Sequence, residues 1–131
     1  MQPTEEIRKQ ILAFQQTEIT EYHIYSRLAK RINSPENEKL LEKISQDELR
    51  HYNEWKGHSG KDVQPQWLKV WWYYFVSRVF GYTFGVKLME RGEEKAQKNY
   101  ASIAAIIPDA ARIQHEEDEH EEQLIAMLSE E

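Results

Sequence analysis

The sequence predicts an all-α protein, a four-helix bundle built from two helical hairpins. Apolar residues recur at alternating spacings of three and four through most of the chain, and no stretch of alternating polar and apolar residues competes with that period. Helix stops fall at Asn33-Ser34-Pro35, Gly57 to Pro65 and Pro108-Asp109. The two halves of the chain also carry the same chemistry in the same order. At 131 residues the protein is expected to form one domain around a single core, with hairpin one at about 5–56 and a loop at 57–65. An aromatic segment and hairpin two follow at about 66–131.

The first helix is expected from about Glu5 to Arg31, with Ile7, Ile11, Phe14, Tyr25, Leu28 and Ile32 on one stripe. Glu18 lies on that stripe, where a hydrophobe belongs. After it, Ser34 can cap a second helix and Pro35 suits its first position. That helix is expected from about Pro35 to Lys56, and its stripe is Leu41, Ile44, Glu48, His51 and Trp55. Gly57 to Pro65 reads as the only long loop. Beyond it the stripe Phe75, Val79, Tyr82, Val86, Met89, Glu93, Ala96, Tyr100, Ile103, Ile107 keeps phase through Gly81 and Gly85, which predicts one very long helix or two nearly in line. Pro108-Asp109 breaks it, with Asp109 as cap, and the last helix carries Ile113, Glu117, His120, Leu124 and Met127.

Composition narrows the chemistry. There is no cysteine, so disulfides, thiolate metal sites and iron–sulfur clusters are excluded, and a reducing compartment suits the chain. A formal charge of −6 leaves no basic stripe for a nucleic-acid backbone and favours cations as ligands. The N-terminus has neither the basic start nor the apolar run of a secretory signal, which places the chain in the cytoplasm. Trp67 to Met89 is rich in aromatic residues, but Lys69, Arg78 and Lys87 interrupt it and its longest apolar run falls far short of a bilayer span. That segment reads as core or oligomer interface, with an interfacial aromatic belt as the other reading.

The repeat carries the functional signal. Glu18 with Tyr25 seven residues on, then Ile44, Glu48, His51 and Trp55, is matched by Glu93 with Tyr100 seven residues on, then Ile113, Glu117, His120 and Leu124. Helical positions three apart lie about 60° apart around the axis, so the Glu and His of Glu-x-x-His point the same way and can grip one cation. Four carboxylates and two imidazoles on apolar stripes are costly to bury unless cations neutralise them. Two divalent ions balance four carboxylates, with Glu18 and Glu93 bridging, Glu48 with His51 on one ion and Glu117 with His120 on the other. Carboxylate and imidazole suit iron or manganese, and zinc also binds such ligands. A single Glu-x-x-His usually faces water; two copies in register with apolar neighbours, joined by two stripe glutamates, favour the metal reading.

Neighbouring residues carry weaker expectations. Glu21 and Glu90 lie three positions from the bridging glutamates, as extra ligands, an iron entry path or, more simply, solvated flanks. Tyr25 and Tyr100 face the same side and can donate hydrogen bonds to the carboxylates or anchor the core. His23, His58 and His115 are expected at the surface, and the acidic run Glu116 to Glu122 is expected to be solvated apart from Glu117.

These residues resemble the rubrerythrin-type, ferritin-like di-iron family over nearly the whole chain. Phe14 to Tyr25 is similar to its first ligand helix, Glu48 to His51 to the second, Arg91-Gly92-Glu93 to Tyr100 to the third and Glu117 to His120 to the fourth. The nearest likeness is to the cytosolic rubrerythrin-like domain of membrane-bound ferritin, which precedes a vacuolar-iron-transporter-type membrane domain; Leu88-Met89-Glu90-Arg91-Gly92-Glu93-Glu94 carries it. The resemblance implies a pair of iron ions, reaction of Fe(II) with O2 or H2O2, and a role in iron detoxification. Two departures stand out. The chain lacks a cysteine-rich rubredoxin module, which removes the electron-donor route of full rubrerythrins. It also ends at Glu131 with no membrane segment, so it reads as a stand-alone relative or a domain tethered to a membrane iron transporter. An iron-sensing or iron-delivery domain without turnover, and a metal-free helical interaction module, are the rival readings.

In a ferritin-like monomer the second and third helices run parallel, so their link must cross the bundle, and nine loop residues reach at most about 30 Å. Either Trp67 to Phe80 serves as the crossover, or hairpins pair between two chains in a domain-swapped dimer. A homodimer with the aromatic segment at its interface is expected.

Overall fold

In a computed structural model the chain is described over residues 4–81, 85, 103 and 107–129. It is all-α, with four helices and no strand among the described residues, consistent with an all-α four-helix bundle. The helices are α1 (Glu5–Ala29), α2 (Pro35–Ser59), α3 (Trp67–Phe80) and α4 (Pro108–Ser129). None of them is long and apolar enough to cross a membrane. The chain divides into two compact units, Met1–Phe75 and Val76–Glu131, with α3 running through the boundary.

The first unit follows from its end signals. Thr4 in extended conformation accepts a hydrogen bond from the Ile7 backbone N–H at 3.3 Å, and Ser34 does the same for Asn37, also at 3.3 Å, with Pro35 in the first turn. Each cap satisfies one of the amides that a helix start leaves over. α1 and α2 pack against one another as a hairpin. Their buried faces carry Ile11, Phe14, Ile24, Tyr25 and Leu28 on one side and Leu41, Ile44, Tyr52 and Trp55 on the other. Trp55 is fully buried, with its ring 5.5 Å from that of Phe14.

Helix α2 continues three residues past the expected loop start. Gly57, His58 and Ser59 stay helical, and Gly60 ends the helix in the left-handed region at φ 69°, its N–H bonded to the Lys56 carbonyl at 2.7 Å. A residue with no Cβ adopts that conformation without strain, whereas Gly57 has no such demand on it. The following segment is held by side chains rather than by a ladder. Gln15 Nε2 donates to the Lys61 carbonyl at 2.6 Å while its Oε1 accepts from Ser59 Oγ at 2.6 Å. The Tyr52 hydroxyl accepts from the Val63 N–H at 3.0 Å, and Thr20 Oγ1 from the Gln66 N–H at 3.0 Å. Lys56 Nζ meets Asp62 at 2.6 Å across the same turn.

The aromatic segment forms a helix of its own. α3 ends at Phe80 because Gly81 takes φ 102°, so the continuous helix through Gly81 is not formed. Periodicity alone could not expose this break, since glycine is compatible with either path. Farther on, Gly85 lies where a Cβ would come within 1.8 Å of Ser77 Oγ, a close approach that only glycine permits. In the second unit, Pro108 is the first residue of α4, which puts Asp109 inside the first turn instead of at the cap; its carboxylate is 3.5 Å from Arg112.

His23 is half-buried rather than at the surface. It packs against Trp67 at 4.6 Å between ring centroids, and the Arg27 guanidinium, 5.5 and 5.1 Å from the Trp67 and Trp71 centroids, approaches His23 Nδ1 at 3.1 Å. Burial, and then the Arg27 charge, hold its pKa below 6.5. The unfolded chain therefore takes up this proton first as pH falls, and the stability that neutral His23 contributes is present above 6.5 and lost below it. We expect His23→Gln to lose less stability than the parent between about pH 7.5 and pH 5, measured by urea unfolding in EDTA. Equal losses would show that His23 does not titrate differently on folding.

Candidate metal centre

The helix period sets the site in the first unit. On α1, Phe14, Glu18 and Tyr25 share the buried face; on α2, Ile44, Glu48, His51 and Trp55 do. Glu18 is 2% exposed, and Glu48 and His51 are fully buried. Hydrophobic residues one turn away on both sides force these polar heads into the hairpin interior. Glu18, Glu48 and His51 each offer one ligand atom, and these atoms lie within 4.8 Å of one another. His51 Nδ1 is 3.7 Å from Glu18 Oε2 and 3.7 Å from Glu48 Oε1.

Those separations decide what the cluster can do. They exceed the about 2.7–3.2 Å of an N–H···O hydrogen bond. A cation with bonds of about 2.1 Å holds its ligand atoms roughly 3–4 Å apart, which is the spacing found here. Two carboxylates and one imidazole nitrogen are the donor types that hold iron, manganese or zinc, so the residues fit such an ion. Coordination through Nδ1 requires the ring proton on Nε2. The neighbouring acid Asp47, with 20% of its side chain exposed, pairs instead with the exposed Lys43 and Arg50, each at 3.2 Å.

In the second unit α4 repeats the pattern. Ile113, Glu117, His120 and Leu124 are all buried, and His120 Nδ1 is 3.8 Å from Glu117 Oε2. Both Glu-x-x-His copies thus turn Nδ1 toward the carboxylate at nearly the same distance, as the sequence repeat predicts. His58 and His115 are exposed as expected, and around Glu117 the acids Asp118, Glu119 and Glu122 are exposed. Glu93, Glu90 and Tyr100 lie outside the described residues.

Two neighbours differ from expectation or sharpen it. Glu21 is buried at 9% exposure, which corrects the solvated-flank reading and places it on the same helix as Glu18. Tyr25 is buried on the Glu18 face of α1. Sequence reasoning missed the burial of Gln15, Thr20 and Ser45. Gln15 and Thr20 are buried because the loop after α2 folds its backbone onto them, and no local pattern announces a partner more than forty residues away. Comparisons with protein-family models, with curated proteins and with solved structures found no match.

Proposed function

We propose that this chain is a di-iron domain that oxidises Fe(II) with O2 or H2O2 in iron detoxification. The observation that carries the reading is the convergence of Glu18, Glu48 and His51 in the buried interior of the α1–α2 hairpin. The sequence repeat extends it: Glu93 answers Glu18, and Glu117 with His120 answers Glu48 with His51, which gives four carboxylates for two divalent ions. Manganese or zinc would fit the same donors. The resemblance to the rubrerythrin-type family, and within it to domains attached to membrane iron transporters, supports iron as the metal and a cytoplasmic setting for the reaction.

On this reading the bound iron would supply the redox chemistry, one electron from each Fe(II) to the oxidant. The residues bind, orient and exclude. Glu18 and Glu93 would hold the ions together with Glu48, His51, Glu117 and His120. His51 and His120 offer Nδ1 from rings fixed by packing. Tyr25 and Tyr100 would donate hydrogen bonds to the carboxylates, and Glu21 and Glu90 would add further oxygen donors. Because every ligand must be deprotonated, binding weakens as pH falls.

The test is an anaerobic titration with ferrous ion followed by an air pulse. We expect about two ferrous ions bound per chain and an oxidation far faster than in buffer, with a diferric absorption band. Binding without faster oxidation would replace this reading with a sensing or delivery domain. An unchanged melting temperature with Fe(II), Mn(II) and Zn(II) would leave only a helical interaction module.

A further inference from the structure

At the open end of the α1–α2 hairpin, where α1 begins and α2 ends, lies a cavity of about 240 Å³ lined by Arg8, Leu12, His58, Ser59 and Lys61. A second, of about 400 Å³, shares Arg8, Leu12 and Lys61 with it and adds Glu5 and Lys9. Basic side chains therefore predominate here, in a chain whose formal charge is −6. The acid that follows Lys61 does little to offset them, because Asp62 is held by Lys56 at 2.6 Å.

An exposed basic side chain is ordinarily just solvated, but the wall that carries Lys61 is fixed from within the hairpin. Gln15, fully buried, donates from Nε2 to the Lys61 carbonyl at 2.6 Å and accepts from Ser59 Oγ at 2.6 Å. Ser59 Oγ in turn accepts from the Lys61 N–H at 3.2 Å. Both backbone groups of Lys61 are thus bonded, and Gly60 turns the chain before it at φ 69°. The Ser59 proton is committed to Gln15, so Ser59 serves as wall. The donors of the cavity are Arg8 from α1, His58 from the last turn of α2 and Lys61 from the segment beyond.

We infer that this cavity binds a phosphate group, either the free ion or that of a small phosphate ester. Arginine and lysine bring donors and no acceptor, so the ligand must be rich in acceptor oxygens. Donors arriving from three separate stretches of chain suit a tetrahedral oxyanion, whereas a planar carboxylate is satisfied by one guanidinium through two parallel bonds. Size sets the upper limit. The first cavity falls below the about 300–1,000 Å³ of sites for drug-sized molecules, so it has room for a phosphate and not for a nucleotide. The adjoining space, with Leu12 as its apolar side chain, can take the carbon part of a small ester. A wall already held by Gln15 and Ser59 also lowers the ordering cost that binding would otherwise carry. None of these donors belongs to the Glu18, Glu48 and His51 cluster, so the inference stands apart from the iron reading.

Calorimetric titration of the full chain, without added metal, tests the site with inorganic phosphate and with glycerol 3-phosphate, against sodium chloride at matched ionic strength. We expect one phosphate per chain with a dissociation constant of about 1 mM or tighter, and no saturable heat from chloride. An ester that binds about tenfold tighter than the free ion would place its carbon part in the adjoining space, and equal affinities would assign the site to the free ion. Arg8→Gln and Lys61→Gln should each weaken binding about fivefold to tenfold and together abolish it. Both side chains are exposed, and the bonds that fix Lys61 are made by its backbone, so the far-ultraviolet helix signal should stay the same. Lys39→Gln removes the same charge about 30 Å away along α2 and should leave the affinity unchanged. Absence of saturable phosphate binding would overturn the inference, as would Arg8→Gln and Lys61→Gln proteins that bind as the parent does. Equal weakening by Lys39→Gln would also overturn it, since overall charge and not this cavity would then hold the anion.

Discussion

Exchange of Glu48 for leucine is expected to reverse the order of stability between metal-free and metal-loaded protein. Without metal, the fully buried carboxylate costs several kcal/mol of desolvation, and a leucine at the same position adds apolar burial worth about 2 kcal/mol. In EDTA the variant should therefore melt above the parent. With Fe(II) under anaerobic conditions the parent gains about 2.7 kcal/mol at a free-ion concentration one hundred times its dissociation constant, and the variant gains almost nothing. His51→Ala should likewise weaken binding by more than the about 10–100-fold that loss of an outer-sphere partner costs. Calorimetric titration and melting curves with and without metal check both. A Glu48→Leu protein that melts below the parent in EDTA would show that the carboxylate stabilises the fold without any ion.

The second large effect belongs to packing. Trp55 is fully buried against Phe14, one turn beyond His51 on the same face of α2, so Trp55→Ala leaves a cavity beside the site. We expect a loss of about 3–5 kcal/mol in urea unfolding, with little change in the slope of the transition. Metal should recover part of that loss, because the ligands on α1 and α2 remain and binding selects the packed hairpin. A loss below about 1 kcal/mol would mean that Trp55 does not hold this core together. Equal loss with and without metal would separate the packing of Trp55 from the site next to it.

What the sequence made legible, and what it did not, follows from the range of the interactions. Glu18, Glu48 and His51 were readable because helical periodicity alone assigns them to the stripe of Phe14, Ile44 and Trp55, and the structure buries all three together. Glu117 and His120 were readable for the same reason on α4. Capping was equally local, and Thr4, Ser34 and Pro35 act where they stand. Burial of Gln15 was not readable, because its partners Ser59 and Lys61 arrive from the far end of α2. Nor was the end of α3, since the choice of a left-handed φ at Gly81 over continued helix depends on packing rather than on phase. His23 hid for a related reason: Trp67 and Arg27, the groups that half-bury it, include one that is distant in sequence.

The most direct measurement is anomalous diffraction at the iron edge from crystals grown anaerobically with ferrous salt. A peak is expected about 2.0–2.3 Å from carboxylate oxygens of Glu18 and Glu48 and from Nδ1 of His51. Glu18 and Glu48 turned outward into water, with no peak between them, would contradict it.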